Sequence, residues 1–522
     1  MPSPSNLSGR KRVLIVNAFL DDARTPTRRP TTVLKAMGPP FLAGAFDRER
    51  NDVRLWDEQS SGPLEDPALL GWPDLLVLTG MTAAFDRMLH LTAYARTQNP
   101  KVRVVAGGPA IRTLPRYSAQ FFDHCCQGDV EQMAEIAAAE FGEDHVDRQL
   151  TPRFDLAYWL RSFGHVESTR YCNFRCAFCS MTAEDRPYQR YELEVLRRQI
   201  EACGRRPYLL FIDNNFYGNN RQHFLARLEL IGEMRRKGWF RAFGALVTSD
   251  FFLRPDNIAA AKAAGCEVLF CGLESFDSGQ LDRFHKAQNK VLPQVELVRS
   301  CLDQGVLLVY GLIADVSSRT VAELRQELDF VTRCPDITLP TFVVLPVPFP
   351  GTPFFADLAR AGRLLPRTRL RDLDGTTLCI QPRDPIDEVA RFVRDLQTLR
   401  GHRWNVVRHA FGFLRRYGRK LSVRQLAVAL ARDFALLGLP SLVRGGLSPL
   451  SALLGRRQLA RTHVSTTERL DRLYTPAFPV APEYRSWFEP TTIVGDDGQL
   501  VQHLATELLG RFGEVPAAEP SR

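Results

Sequence analysis

The sequence predicts an α/β protein. A doubly wound, Rossmann-like unit comes first, a full or partial βα barrel of the TIM type second, and a helical C-terminal region last. Three observations predict it. Short apolar runs recur through residues 11–360, with room for a helix between most of them. The runs are almost continuously apolar rather than alternating, which marks strands covered on both faces of a parallel sheet. From about residue 386 the strand pattern stops and helical periodicity replaces it. The expected units are residues 11–145, 155–385 and 386–522.

In the first unit, "RVLIVNA", "DVRLWD", "DLLVLTG" and "VRVVAGGP" read as strands, and "AAFDRMLHLTAYARTQ" as a helix before the last of them. "TTVLKAMGPPFLAGAFDRE" reads as helical in its second half. Ligands of doubly wound sheets sit at the carboxyl ends of the strands. Here those ends carry Asn17, Thr79, Gly80, Gly107 and Gly108, and a glycine there lets a ligand approach the backbone. Tight turns alone explain any one of them equally well.

In the second unit, "FGHVEST", "YLLFIDNNF", "FGALVTS", "EVLFCGLES", "VLLVYGLIAD" and "TFVVLPVPFPGTP" follow one another as strands. "RQHFLARLELIGEMRRKG" and "PDNIAAAKAAG" are helices between them. Successive βα units close toward a barrel whose active site lies at the carboxyl ends of its strands. Later, "DEVARFVRDLQTLRGHRWNVVRHAFGFLRRYGRKLSVRQLAVALARDFALLGLP" reads as helices.

The chain has 522 residues and a formal net charge of +9. The charge is concentrated: residues 401–460 hold eleven Lys/Arg against one Asp, and the remainder is near neutral. This argues against a general nucleic-acid-binding surface and makes 401–460 a candidate contact for an anionic partner or for membrane headgroups. A helical cover on the barrel, its arginines solvated, is the plainer reading. The N-terminal apolar run "VLIVNAFL" is too short for a signal peptide and reads as a first strand; the expected location is the cytoplasm. Eleven irregularly spaced cysteines then favour reduced thiols or metal ligation over a disulfide framework.

Three of those cysteines are crowded into "TRYCNFRCAFCSM" as Cys172, Cys176 and Cys179, directly after the first barrel strand. A cubane iron–sulfur cluster held by three thiolates keeps one iron open to a small molecule. A zinc site is the alternative; it requires a fourth ligand such as His165 or a distant cysteine.

"CNFRCAFC", with Phe178 before the last cysteine, resembles the cluster motif of the radical S-adenosylmethionine (SAM) superfamily. The resemblance implies a 4Fe-4S cluster whose open iron chelates SAM, reductive formation of a 5′-deoxyadenosyl radical, and a reducing electron donor such as flavodoxin or ferredoxin. It places SAM contacts at Phe178 beside the last cysteine and at strand ends: Asp213, Asn214 and Asn215 in "FIDNNF", Thr248 and Ser249 in "LVTSD", Glu274 and Ser275 in "FCGLESFD". Helix caps or strand-end hydrogen bonds explain such polar residues as well. "GLESFDSGQLDRFHKAQN" is similar to a stretch of cobalamin-linked members, whereas "GLIADVSSRT" departs from the usual fifth-strand loop and leaves Gly311 and Ile313 as weak adenine contacts.

An α/β domain before the barrel, with "VVAGGPAIRTLPRYSAQFFDHCCQGDVE", is similar to the cobalamin-binding class of the superfamily. Asn17, Thr79, Gly80, Gly107 and Gly108 become the corresponding cobalamin contacts. The D-x-H-x-x-G histidine of classical cobalamin domains is missing: β-strand one runs into "NAFLDDARTP". The resemblance therefore implies a cobalamin-dependent radical SAM enzyme, a methyltransferase acting on an unactivated carbon of a small molecule in secondary or lipid metabolism. Cyclisation, ring contraction or oxidation on the same two domains is one rival, and a non-catalytic iron–sulfur or zinc scaffold is another.

Overall fold

The computed structural model describes residues 9–20, 36–160, 163–290, 292–396, 403–436 and 472–510. The first apolar run is β1 (Lys11–Asn17), followed by β2 (Asn51–Asp57), β3 (Leu75–Thr79), β4 (Arg103–Gly107) and β5 (His124–Cys126). All pair in parallel, in the order β2-β1-β3-β4-β5. Helices cover both faces, which is why the apolar runs are continuous. Val13, Ile15, Leu75 and Val77 pack in one core with helix Val130–Phe141, and Leu14, Val16, Leu76 and Leu78 in another with helix Phe85–Gln98. The strand order reverses between β1 and β3, the point where such sheets open a crevice at their carboxyl edge.

The second sheet contains β6 (Phe163–Val166), β9 (Tyr208–Phe211), β10 (Ala242–Val247), β11 (Cys266–Glu274), β12 (Leu307–Ile313) and β13 (Phe342–Val344). They pair in parallel in chain order, with β6 and β13 as free edges, so the barrel is partial rather than full. Between β6 and β9, β7 (Thr169–Arg170) and β8 (Gln189–Arg190) form a short antiparallel ribbon. That ribbon holds the two ends of the cysteine-bearing loop together.

Alternation along the strands sorts the residues of the barrel wall. A Cβ on Gly164 would meet Leu209 and Cys203, so that face looks outward to helix Leu193–Cys203, and His165 faces inward. Register carries the inner face from His165 to Leu210, Gly244, Val268 and Leu246, then to Phe270, Val309, Gly311 and Phe342. The alternate residues, such as Leu209, Phe211, Leu269 and Cys271, are fully buried against the outer helices. Leu210, Leu246, Val268, Phe270 and Val309 are only half-buried, because an open barrel leaves its concave wall uncovered.

Helices Ile386–Leu396, Arg403–Tyr417 and Val423–Leu436 realise the helical expectation for the start of the C-terminal region. The Gln425 amide donates to the carbonyls of Glu267 (2.8 Å), at the start of β11, and Gly305 (3.0 Å), just before β12. The described part of the basic segment, residues 403–436, therefore sits at the amino-terminal end of the barrel, away from its mouth; residues 437–460 lie outside the described residues. Residues 472–510 differ from the helical expectation. They are short turns and one five-residue helix, Ala505–Leu509, that return to the first sheet. Tyr474 donates to buried Asp86 at 2.6 Å, and the Phe488 ring stacks on His90 at 4.4 Å. This strap explains why helix Phe85–Gln98 is buried from Phe85 to Ala95, polar Asp86, Arg87, His90 and Thr92 included, with no solvent-exposed face over that stretch. Among the described residues, no helix is long and apolar enough to cross a membrane.

Candidate active site

The cysteine loop lies at the carboxyl end of β6, at the barrel mouth, and is tied down on several sides. Cys179 N–H donates to the Cys176 carbonyl (3.1 Å), Ala177 N–H to Phe284 (3.2 Å), and Phe354 N–H to Ala177 (3.1 Å). Thr182 Oγ1 donates to the Cys176 carbonyl at 2.8 Å. "PVPFPGTP" thus shapes a loop that buttresses the cysteines. All three thiols are free, and they feel one another electrostatically. Burial pushes the Cys179 thiol up to about 12 and raises Cys172 as well, so these two thiols, unliganded, stay protonated.

Sulfur acceptors in the loop already receive donors. Gln288 Nε2 donates to Cys176 Sγ at 3.3 Å, and Phe174 N–H to Cys172 Sγ at 3.5 Å. Among the described residues, no three His, Cys, Asp or Glu side chains converge as ligands of a single ion, and His165 does not join the cysteines. A zinc with Zn–S bonds of about 2.3 Å needs that convergence. A cubane does not, because each thiolate binds a different iron corner. The donor set fits the cluster: three thiols, amide donors to sulfur, and a cation close by.

That cation is Lys286. It is buried, ion-paired with Glu274, and donates to the Gly272 carbonyl at 2.8 Å. Burial disfavours its ammonium, but Glu274 and Cys176 outweigh this and raise its pKa. Gly272 makes the room: a Cβ there would lie 2.4 Å from Glu274 Oε1 and 3.0 Å from Lys286 Nζ. Glu274 follows a register shift in β11 and has φ +67°, a conformation unusual for a non-glycine residue and common at functional sites. Phe178 sits 4.9 Å from Phe284, centroid to centroid, with Lys286 Nζ 5.8 Å from its ring.

The other candidate SAM contacts fall in different settings. Asp213 is fully buried and accepts hydrogen bonds from Ser168 Oγ (2.7 Å) and Thr169 Oγ1 (2.5 Å), with Arg227 behind it. Its carboxylate braces the strand that leads into the cysteine loop. Asn214 is exposed at the end of β9. Ser249 donates to Asn289 Oδ1 (2.8 Å) and Ser275 to Glu327 (2.7 Å). Gly311 lies beneath the Phe342 ring.

Asn215, a strand-end candidate, joins this mouth, and so do three residues that strand-end reasoning passed over. Asn215 Nδ2 donates to Asn173 Oδ1 at 2.7 Å, while its own buried Oδ1 has no partner. Lys286, Gln288 and Asn289 come from the "HKAQN" end of a quoted stretch of which only Glu274 and Ser275 were singled out. Asn289 Nδ2 holds the Gly272 and Leu273 carbonyls at 2.8 and 2.9 Å. The signal was a run of polar residues that the structure buries beside an apolar sheet.

The first sheet faces the same gap. A cavity of about 260 Å³ at its carboxyl edge is lined by Thr79, Gly107, Gly108, Arg112 and Cys126, and by Glu167, Arg170 and Ile212 of the barrel. Of the five candidate cobalamin contacts, Thr79, Gly107 and Gly108 line it. Asn17 donates to Asp57 at 2.8 Å instead, and Gly80 is packed under Ala18. Among the described residues no histidine lines the cavity: His90 is under Phe488, and His124 pairs with Glu140. Arg112 Nε is buried without a partner. Glycine backbone, a threonine hydroxyl and an orphaned guanidinium nitrogen suit the amides and phosphate that rim a corrinoid.

Asp129, from the "GDVE" segment, joins the two units. It accepts from Arg112 at 2.7 Å and from Tyr171 Oη, and lies 3.3 Å from Arg170. Arg112 also reaches Glu184 at 2.6 Å, beyond the last cysteine. Burial opposes ionisation of Asp129, yet Arg170 and Arg112 hold its carboxyl below the usual range.

Comparison with known proteins agrees with this geometry. Residues 166–328 match the family model of the radical SAM superfamily. The hopanoid C-2 methylase of Rhodopseudomonas palustris (strain TIE-1) is 25% identical over 355 residues, covering 63% of this chain and 66% of that protein. The bacteriochlorophyllide d C-8(2)-methyltransferase of Chlorobaculum tepidum is 22% identical over 37% of this chain and 44% of its own length. The chain thus spans less than two thirds of these curated relatives. A radical SAM methyltransferase from Kitasatospora setae, solved with a tryptophan substrate and a SAM analogue, shares the fold at TM-score 0.52 and 17% identity, over 69% of this chain and 78% of that one. The match and the cysteine loop at the barrel mouth agree on a radical SAM domain over residues 166–328.

Proposed function

We propose that the chain is a cobalamin-dependent radical SAM C-methyltransferase acting on a small molecule with an extended apolar skeleton. The observation that carries this reading is the shared gap. The carboxyl edges of the two parallel sheets meet there, with the cysteine loop and the glycine-lined cavity on either side of Asp129. The relatives named for hopanoid and bacteriochlorophyllide methylation, and the Kitasatospora methyltransferase solved with cobalamin and a [4Fe-4S] cluster, support it. In this reading the functional units are residues 11–145 and 155–385, with residues 403–436 covering the barrel and 472–510 bracing the first sheet.

Cys172, Cys176 and Cys179 hold the cluster. Bound there, cluster and SAM supply a carbon-centred radical, and cobalamin a transferable methyl group. The chain's own residues position and shield these groups. Gln288, Phe174 N–H and Lys286 stabilise negative charge on the thiolates. Asn173 and Asn215 offer polar atoms to SAM at the strand ends, together with Glu274. Thr79, Gly107, Gly108 and Arg112 grip the corrinoid rim. Leu210, Leu246, Val268, Phe270 and Val309 present an apolar concave wall that removes hydrocarbon surface from water. A reducing electron donor such as flavodoxin or ferredoxin and a cytoplasmic setting complete the proposal.

The test is product accounting with deuteromethyl SAM, reductant and an apolar lipid extract under anaerobic conditions. The reading expects 5′-deoxyadenosine and S-adenosylhomocysteine together, with the label in the apolar fraction. Deoxyadenosine alone, with no methyl consumed, favours cyclisation, ring contraction or oxidation and overturns methyl transfer.

A further inference from the structure

Helix Arg403–Tyr417 has two opposed faces. Val406, His409, Ala410, Phe413 and Tyr417 are buried against the barrel, with His409 Nε2 on the Ile337 carbonyl at 2.8 Å and Tyr417 Oη on Asp336 at 2.9 Å. These anchors fix the helix in place. The opposite face carries large apolar side chains into solvent: Trp404 is 79%, Phe411 72% and Leu414 38% exposed. At spacings of i, i+4, i+7 and i+11, Trp404, Arg408, Phe411 and Arg415 fall on one stripe. Arg408, Arg415 and Arg419 are exposed and pair with no carboxylate among the described residues, and the helix itself contains no Asp or Glu. On the next helix, Val423 is 83% and Val428 52% exposed.

A docked, rigid helix has no folding reason to expose a tryptophan and a phenylalanine together. Aromatic rings that reach an interface while flanking arginines stay with the headgroups are the pattern of an in-plane membrane helix. We propose that this face is a peripheral docking surface for an anionic lipid bilayer. The rings of Trp404 and Phe411 enter the headgroup–acyl boundary, and Arg408, Arg415 and Arg419 contact lipid phosphates. Charge complementarity selects this occupant. A protein partner with an acidic apolar groove, or a second copy of this chain, would use the same side chains, and the test separates them. The inference is independent of the methyl-transfer reading, since it rests on a surface at the other end of the barrel from the cysteine loop.

The experiment is co-sedimentation of the full chain with sucrose-loaded vesicles of phosphatidylcholine, with and without phosphatidylglycerol, at low and high salt. Binding is expected to the anionic vesicles, weaker at high salt, and weak to neutral ones. The double variant Trp404→Ser, Phe411→Ser should lose about tenfold or more in partitioning. So should Arg408→Ser, Arg415→Ser on anionic vesicles, while Leu253→Ser, an exposed apolar change on another turn, should bind as the parent does. Circular dichroism checks that the variants are folded. Absence of sedimentation with anionic vesicles, or equal sedimentation of parent and ring variants, overturns the proposal. Self-association lost in the ring variants without vesicle binding overturns it in favour of a contact between copies.

Discussion

Gly107 and Gly272 show how single residues set the site. A Cβ on Gly107 would meet only Cys126, at an ordinary 3.6 Å, while larger branches would enter the cavity. Gly107→Val should therefore fold, keep its iron, and lose most of its corrinoid, as read by metal and cobalamin analysis of the purified protein. Lys286 is the opposite case, a buried charge whose removal strands another. Lys286→Met leaves Glu274 uncompensated and should cost about 3–5 kcal/mol in denaturant unfolding, and adding Glu274→Gln should recover much of it. His165 gives the pH dependence. Burial pushes it down to about 4, and it has no hydrogen-bond partner in the inner wall. Its folded pKa lies below the unfolded value, so its contribution is complete above about pH 6.5 and is lost as pH falls toward 4. The loss amounts to about 3 kcal/mol, and His165→Phe should flatten that part of the stability profile.

Between elements, the seam between the sheets depends on few groups. Asp129 N-terminally flanks helix Val130–Phe141 and bonds across to Arg112, Arg170 and Tyr171, the last of these next to Cys172. Asp129→Asn keeps the shape but removes the charge that both arginines face. It should lower stability by about 1–3 kcal/mol and speed amide exchange in residues 172–184 more than in β1 or β3. The elements were also the most legible level of the sequence. The strands read in both units all formed, because short runs rich in apolar residues between helices have few other uses. β5 was weaker, with only His124–Cys126 in the ladder and Cys126 alone fully buried. Residues 472–510 were hidden for a related reason: a strap of short turns has no period, and its role depends on contacts with helix Phe85–Gln98, nearly four hundred positions earlier.

At the scale of the whole molecule, the cysteine spacing and the order of the two sheets carried most of the functional reading. Spacing within one loop is local, so sequence exposes it. Side chains brought together from separate loops are not local. Nothing in "HKAQN" announces that Gln288 reaches Cys176, or that Lys286 fills the space left by Gly272. Strand-end logic likewise picked Asp213 and Asn215 together and had no means to separate them: the Asp213 carboxylate is committed to Ser168 and Thr169, while Asn215 keeps a free acceptor. The basic segment was visible as composition, but only the packing of helix Arg403–Tyr417 separates its anchored face from its exposed one.

The central claim is that one chain holds a three-cysteine cluster and a corrinoid across a single gap. The most direct measurement is iron and corrinoid content of protein purified without oxygen after growth with cobalamin, iron and sulfide, followed by a 5′-deoxyadenosine assay with SAM and reductant. The account predicts about four irons and one corrinoid per chain, with deoxyadenosine formed by the parent and abolished in Cys176→Ala. Iron and deoxyadenosine without corrinoid would contradict the two-cofactor gap, and a Cys176→Ala variant with full cluster content and activity would contradict the cluster assignment itself.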